Sequence, residues 1–283
     1  MQRTVLITGS TDGIGLETAR LLYSQGHHVI LHGRNPEKLR QAENILTELP
    51  GGGLVNGFVA DLSTLSEVEA LADCVTERFH RLDVLINNAG IYSAADVITL
   101  DGLDVRFAVN TVAPYLLTQQ LLPLLGRAGR VINVSSAAQA PVDVRALAGH
   151  VRLSDNAAYA QSKLALTMWS HSMADSFGTD GPVVVAVNPG SMLGSKMVRN
   201  AFRVAGKDIR IGADILSRAA VDDEFAAASG RYFDNDRGQW APPHPDVADC
   251  EKVTEVLDVL ETILELTLSP REPVNHVSTR ERM

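Results

Sequence analysis

The feature that most constrains this chain is a short apolar run that breaks directly into a glycine-rich turn, TVLITGSTDGIG, from Thr4 to Gly15. The run has strand length and strand composition. Gly9, Gly13 and Gly15 then remove the side chains that would hold a bound group away from the backbone or keep the following helix off the strand. A helix beginning there points free N–H groups and the positive end of its dipole into the turn, which suits a phosphate. Similar apolar runs recur at His28–His32, Leu54–Ala60, Asp83–Asn87, Arg130–Val134 and Val183–Val187, with a seventh at Gly230–Asp234. Helical spacing fills the gaps: Val68, Leu71, Ala72, Val75 and Phe79 in one, Val105, Val109, Val112, Leu116 and Leu117 in another. This alternation predicts an α/β fold, a mostly parallel sheet with helices on both faces.

No repeat or linker divides the 283 residues, so a single domain over 1–283 is expected. The net charge of -9 gives no reason to expect a nucleic acid or an anionic membrane as partner. Cys74 and Cys250 stand alone, without the spacing of a disulfide framework or of metal ligands, which points to no metal and to a reducing cytoplasm. Neither an export signal nor a membrane span is expected. The segments 141–158 and 191–212 follow strands, and the reading assigns both to a substrate cleft. A last helix falls within the terminal stretch 251–283, where Val253, Val256, Leu257, Leu260, Ile263 and Leu264 form an apolar face to pack on this chain or another subunit.

The second run ends HVILHGRN. Where an acidic residue would accept bonds from an adenosine ribose, this chain has Gly33 and Arg34, which favours a 2'-phosphate and hence NADP(H) over NAD(H). Asp61 after the third run either accepts from the adenine amino group, with Leu62 bordering the ring, or caps the next helix. Tyr159 and Lys163 in YAQSK share a helix face. Their chemistry suggests a phenol lowered by an ammonium, able to carry a proton while Lys163 also binds a nicotinamide ribose. Ser135 and Ser136 end the fifth run; Ser136 is assigned to donate to a carbonyl oxygen, Ser135 to the backbone or the cofactor. No GxSxG elbow supports a serine hydrolase. Asn110, an amide inside an apolar helix, should interrupt that helix and let its backbone bridge through water toward Lys163.

With TGSTDGIG, Asp61, the NNAG of Asn87–Gly90, Asn110, SSAAQ, YAQSK and NPG in this order, the chain resembles the short-chain dehydrogenase/reductase family from Thr4 to Met197. HGRN, the long interval between Ser136 and Tyr159, ADILSRAA and SGRYFDND are similar to its retinol-dehydrogenase-like and protochlorophyllide-reductase-like branches. The resemblance implies a Rossmann-like three-layer sandwich with a seven-stranded sheet and nicotinamide-dependent redox chemistry of a carbonyl/alcohol pair. It implies a catalytic set of Asn110, Ser136, Tyr159 and Lys163, with cofactor contacts from Gly9, Ser10, Thr11, Gly13, Ile14, Gly15, Arg34, Asp61, Leu62, Asn88, Ala89, Gly90, Pro189 and Gly190. It also implies a homodimer through the helices around Val105–Leu117 and Tyr159–Met173. Two departures stand out: Asn188 replaces a histidine common before the PG, and Gly194 replaces a threonine, leaving Ser195 or backbone near Leu193 to contact the carboxamide. Met192, Leu193, Met197, Val198 and Phe202 suggest a moderately large, apolar substrate, while Arg199 and Arg203 would suit an anionic one. Sugar-nucleotide epimerisation or dehydration, or NADP(H) binding without catalysis, are the competing readings.

Overall fold

The computed structural model describes residues 2–268. Every expected run forms a strand: β1 (Thr4–Ile7), β2 (His28–Gly33), β3 (Leu54–Val59), β4 (Val84–Asn87), β5 (Arg130–Val134), β6 (Val183–Asn188) and β7 (Tyr232–Asp234), all parallel. An eighth strand, β8 (Gln239–Ala241), pairs antiparallel with β7, and the sheet order is β3-β2-β1-β4-β5-β6-β7-β8. Three residues are too few to show a strand pattern in sequence. What holds β8 is tertiary: Trp240 packs on Phe225 and Phe233, and the Arg231 guanidinium lies 4.2 Å from its ring.

The inner strands are apolar on both faces because helices cover both. In β1, Leu6 packs into one layer while Val5 and Ile7 pack into the other. The layer under Val5 and Ile7 holds α1 (Gly13–Ser24), α2 (Pro36–Thr47) and α9 (Arg210–Val221). The opposite layer holds α3 (Leu65–Arg78), α4 (Val105–Phe107), α5 (Ala113–Leu125), α6 (Val144–Leu147), α7 (Asp155–Phe177) and α10 (Cys250–Leu268). A short helix, α8 (Lys196–Phe202), buries none of its residues. The strand order reverses about β1, between β2 and β4, so the loops leaving the carboxyl ends of these strands part and leave a crevice.

α10 carries the expected apolar face, with Val256, Leu260, Ile263 and Leu264 buried; the rest of the stretch 251–283, from 269 on, lies outside the described residues. The helix packs on α7, α3 and α6, and Glu261 accepts hydrogen bonds from the Tyr115 hydroxyl and, at 3.0 Å, from Gln119. Tyr115 and Trp169, on the two helices expected to meet a second copy, are thus buried within the chain. No helix among the described residues is long and apolar enough to cross a membrane.

Candidate active site

A cleft of about 610 Å³ runs along the crevice, and its β1 end is built mainly of backbone. Gly9 and Gly13 have φ of +64° and +58°, conformations that a side chain strains. A Cβ on Gly15 would stand 2.4 Å from Asn88 Nδ2 and 2.5 Å from the Gly9 carbonyl, so this glycine lets α1 start against the turn. Asn88 is committed to that junction, donating through Nδ2 to the carbonyls of Thr8 and Gly9, while the Asn88 and Ala89 amides donate to the Thr8 hydroxyl. Ser10 corrects the expectation for it. Its hydroxyl donates to the Ile7 carbonyl and accepts from the His32 amide, its own amide donates to the His32 carbonyl, and it is fully buried away from the cleft. Thr11, Gly13, Ile14 and Gly15 do line the cleft, as do Asn88, Ala89 and Gly90.

His32 went unnoticed in the sequence. Its Nδ1 accepts from the Gly9 amide at 3.1 Å, which leaves Nε2 to donate to the Ala60 carbonyl at 3.0 Å. Burial holds its pKa down to about 4, so the ring is neutral and ties the β1 turn to β2 and β3. Next to it, a Cβ on Gly33 would lie 2.5 Å from Thr11 Cγ2, so any side chain at this position would require Thr11 to move.

Arg34 extends into solvent at this end of the cleft, with the Asp61 carboxylate 4.0 Å from its guanidinium. Lys38, a second cation on the same wall, was also missed; it sits in the first turn of α2, whose cap is Asn35. Asp61 lies in the turn before α3, whose cap position is Thr64. One Asp61 oxygen accepts from the Ser63 amide and hydroxyl in a local turn, and Asp61 and Leu62 still line the cleft.

At the other end, β5 and α7 bring the chemical groups together. Both serines border the cleft, but the Ser135 hydroxyl is paired with Thr167 at 2.7 Å, whereas the Ser136 hydroxyl accepts from the Ala138 amide and stands next to Tyr159. Tyr159 keeps part of its ring open to the cleft, but burial of the hydroxyl raises its pKa, Ser136 opposes that rise and Tyr92 adds to it. The phenol is therefore not lowered here. Lys163 Nζ lies 5.9 Å from the Tyr159 ring centre and donates to the Val134 carbonyl at 2.7 Å; burial brings it down to about 8. Asn110 interrupts its helix as expected, within a π-helical turn over Ala108–Val112. Its side chain accepts from the Ile91 amide and donates to the Ile91 carbonyl and Ser162 hydroxyl. Asn110 does not reach the cleft; it anchors the Ile91 loop beside Lys163.

After β6, Asn188 is buried and donates to Asp234 and Asp236 while accepting from the Gly190 amide. Asp236 also accepts from the Ser191 amide and hydroxyl, so the β7–β8 turn clamps the loop that presents Pro189 and Gly190 to the cleft. Nothing in the sequence pairs Asp236 with Ser191 across 45 positions. Ser195 is the N-cap of α8, accepting from the Val198 amide. From 191–212, the apolar Met192, Leu193, Met197, Val198 and Phe202 line the cleft together with Lys196, Asn200 and two serines, while Arg199 and Arg203 do not. From 141–158, only Asn156 does. That segment is drawn away because Asp143 caps α6, whose Ala146 and Leu147 are buried and which packs on α10. Tyr92 takes its place, its ring 5.2 Å from those of both Tyr159 and Phe202.

Among known proteins, the family described as short chain dehydrogenase matches residues 3–205. Retinol dehydrogenase 13 of Homo sapiens is 31% identical over 275 residues, covering 88% of this chain and 80% of that protein. Polyprenol dehydrogenase of Homo sapiens is 32% identical over 256 residues, covering 83% and 77%. The crystal structure of a short chain dehydrogenase from Burkholderia cenocepacia in complex with NADP aligns with a TM-score of 0.67 at 26% identity, over 84% of this chain and 97% of that one.

Proposed function

The chain belongs to the short-chain dehydrogenase family, and on that premise we propose that it is an NADP(H)-dependent oxidoreductase of a moderately large, apolar carbonyl/alcohol pair. The carrying observation is that Ser136, Tyr159 and Lys163 face the same continuous cleft as the glycine turn and the cations Arg34 and Lys38. The cradle fits a dinucleotide, since Gly9, Gly13 and Gly15 leave room for phosphate against the start of α1. NADP in the Burkholderia structure supports that choice, and Arg34 and Lys38 suit a 2'-phosphate.

NADPH supplies the hydride. In the reductive direction Tyr159, protonated at neutral pH by its burial, gives a proton to the carbonyl oxygen, and Ser136 donates a hydrogen bond to that oxygen as charge develops. Lys163 is held at the base of the site by the Val134 carbonyl, where its ammonium can serve the ribose and the phenolate left after proton transfer. Asn110 acts through the Ile91 loop and is a positioning residue. Apolar lining by Met192, Met197, Val198 and Phe202 favours an apolar substrate; of the nearby cations Arg199 and Arg203 lie outside the cleft and Lys196 stands on its wall. Two relatives named for retinol and polyprenol, both lipophilic alcohols, lean the same way.

A panel of carbonyls followed by NADPH oxidation tests this. Rising kcat/KM with apolar size is expected; a preference for polyanionic carbonyls would overturn the substrate class, and tight NADPH binding without any turnover would overturn catalysis. Arg34→Ala should weaken NADPH about tenfold and NADH little, the lower part of the range for a charge-assisted bond because Arg34 is 70% exposed. Equal losses for both cofactors would remove Arg34 from the discrimination.

A further inference from the structure

We propose that the outer face of α8 docks on an anionic lipid surface and turns the mouth of the cleft toward it. The segment 191–212 carries five cations, Lys196, Arg199, Arg203, Lys207 and Arg210, against one carboxylate, Asp208, in a chain whose net charge is -9. Lys207 reaches Asp236 and Arg210 pairs with Asp208. Among the described residues, no carboxylate lies within ion-pair distance of Lys196, Arg199 or Arg203. Arg199 and Arg203, four apart, share a helix face outside the cleft, whereas Lys196 stands at its edge beside Met197, Val198 and Phe202.

The same rim exposes apolar side chains. Arg203 closes α8 in a left-handed conformation, φ 59°, and the chain folds back so that the Lys207 amide donates to the Met192 carbonyl at 2.7 Å. Met192, Phe202, Val204 and Ile211 are 39%, 45%, 43% and 47% exposed. Cations beside exposed apolar groups match a headgroup layer with acyl chains beneath it. An acidic protein would use the cations but not the apolar rim. Negative charge elsewhere on the chain is screened beyond roughly 8 Å at physiological salt, so it does not cancel a local contact. The purpose rests on the apolar-substrate reading: such a molecule would pass from the lipid into the cleft without crossing water.

The test is co-sedimentation of the full chain with vesicles of phosphatidylcholine alone and of phosphatidylcholine mixed with phosphatidylglycerol. Binding to the mixed vesicles only, weakened by salt, is expected. Arg203→Glu should lower partitioning tenfold or more, each cation being worth about fivefold, and the uncharged polar change Val204→Asn should lower it as well. Neither residue lines the cleft, so melting temperature and turnover of a water-soluble carbonyl should stay at wild-type values. No binding to mixed vesicles, or binding unchanged by Arg203→Glu, overturns the proposal. Loss with Arg203→Glu but none with Val204→Asn assigns the face to a purely electrostatic partner such as an acidic peptide, and also overturns it. Vesicle binding without any preference for apolar carbonyls would instead sink the substrate reading and leave docking standing.

Discussion

At the β1–β4 end of the cleft nearly every polar group is tied to backbone: His32 to Gly9 and Ala60, Asn88 to Thr8 and Gly9, Ser10 to Ile7 and His32. At the α8 end the wall is a helix with no buried residue, held by a serine cap, by the Arg199 bond to the Gly194 carbonyl and by the contact of Phe202 with Tyr92. One end is fixed by close packing of glycines and carbonyls, the other by a few side-chain contacts at the surface. A dinucleotide needs the first kind of construction, because its phosphates must approach backbone within hydrogen-bond distance. A variable apolar substrate tolerates the second.

The sharpest way to break this contrast is to remove the group where the two ends meet. Tyr159→Phe should lower kcat roughly 100- to 10,000-fold while NADPH affinity, measured by fluorescence titration, stays within about twofold. A matching loss of affinity would mean that the phenol belongs to the cofactor end instead.

Acid should loosen the rigid end selectively. His32 has a folded pKa of about 4 against 6.5 in the unfolded chain, so between these values only the unfolded chain takes up the proton. This contribution is fully present above about pH 6.5 and is lost as pH falls toward 4, by up to about 3 kcal/mol. Urea unfolding across that window should be flatter for His32→Gln than for wild type; parallel curves would show that the ring is not held neutral by the fold.

Gly15→Ala probes the same end through volume. The added methyl would meet Asn88 and the Gly9 carbonyl, and such overpacking typically costs about 1–3 kcal/mol. We expect a lower melting temperature together with weaker NADPH binding, and an unchanged melting temperature would show that the turn yields. The smallest effect should come from the opposite end. Val198→Ala in α8 should change stability by under about 0.5 kcal/mol, since nothing in that helix is buried, yet raise KM for an apolar carbonyl. A large loss of stability there would erase the contrast between the two ends.

Much of the rigid end could be read in one dimension. Gly9, Gly13 and Gly15 signal a turn because no other residue supplies their conformations and clearances, and the parallel strands show as apolar runs because both faces are covered. Tyr159 and Lys163 share a face by helical spacing alone. Lys38 was equally legible, one turn into the helix after Arg34, and passed unremarked.

What the sequence by itself determined is therefore local: the strand-turn-helix unit, the sheet's parallel core, the basic end of β2 and the YxxxK pair. Only the tertiary structure decided that the Ser135 hydroxyl is tied up by Thr167, that Ser10 and Asn110 brace the cleft from behind, and that Asp236 clamps the loop after β6. It alone set Tyr92 in place of the 141–158 segment and laid α10 over the helices expected to dimerise. The reason is the range of the interactions. Backbone conformation and helical phase are fixed by neighbours a few residues apart, whereas burial, hydrogen-bond partners across the chain and the pKa of a buried phenol depend on what the folded chain brings alongside.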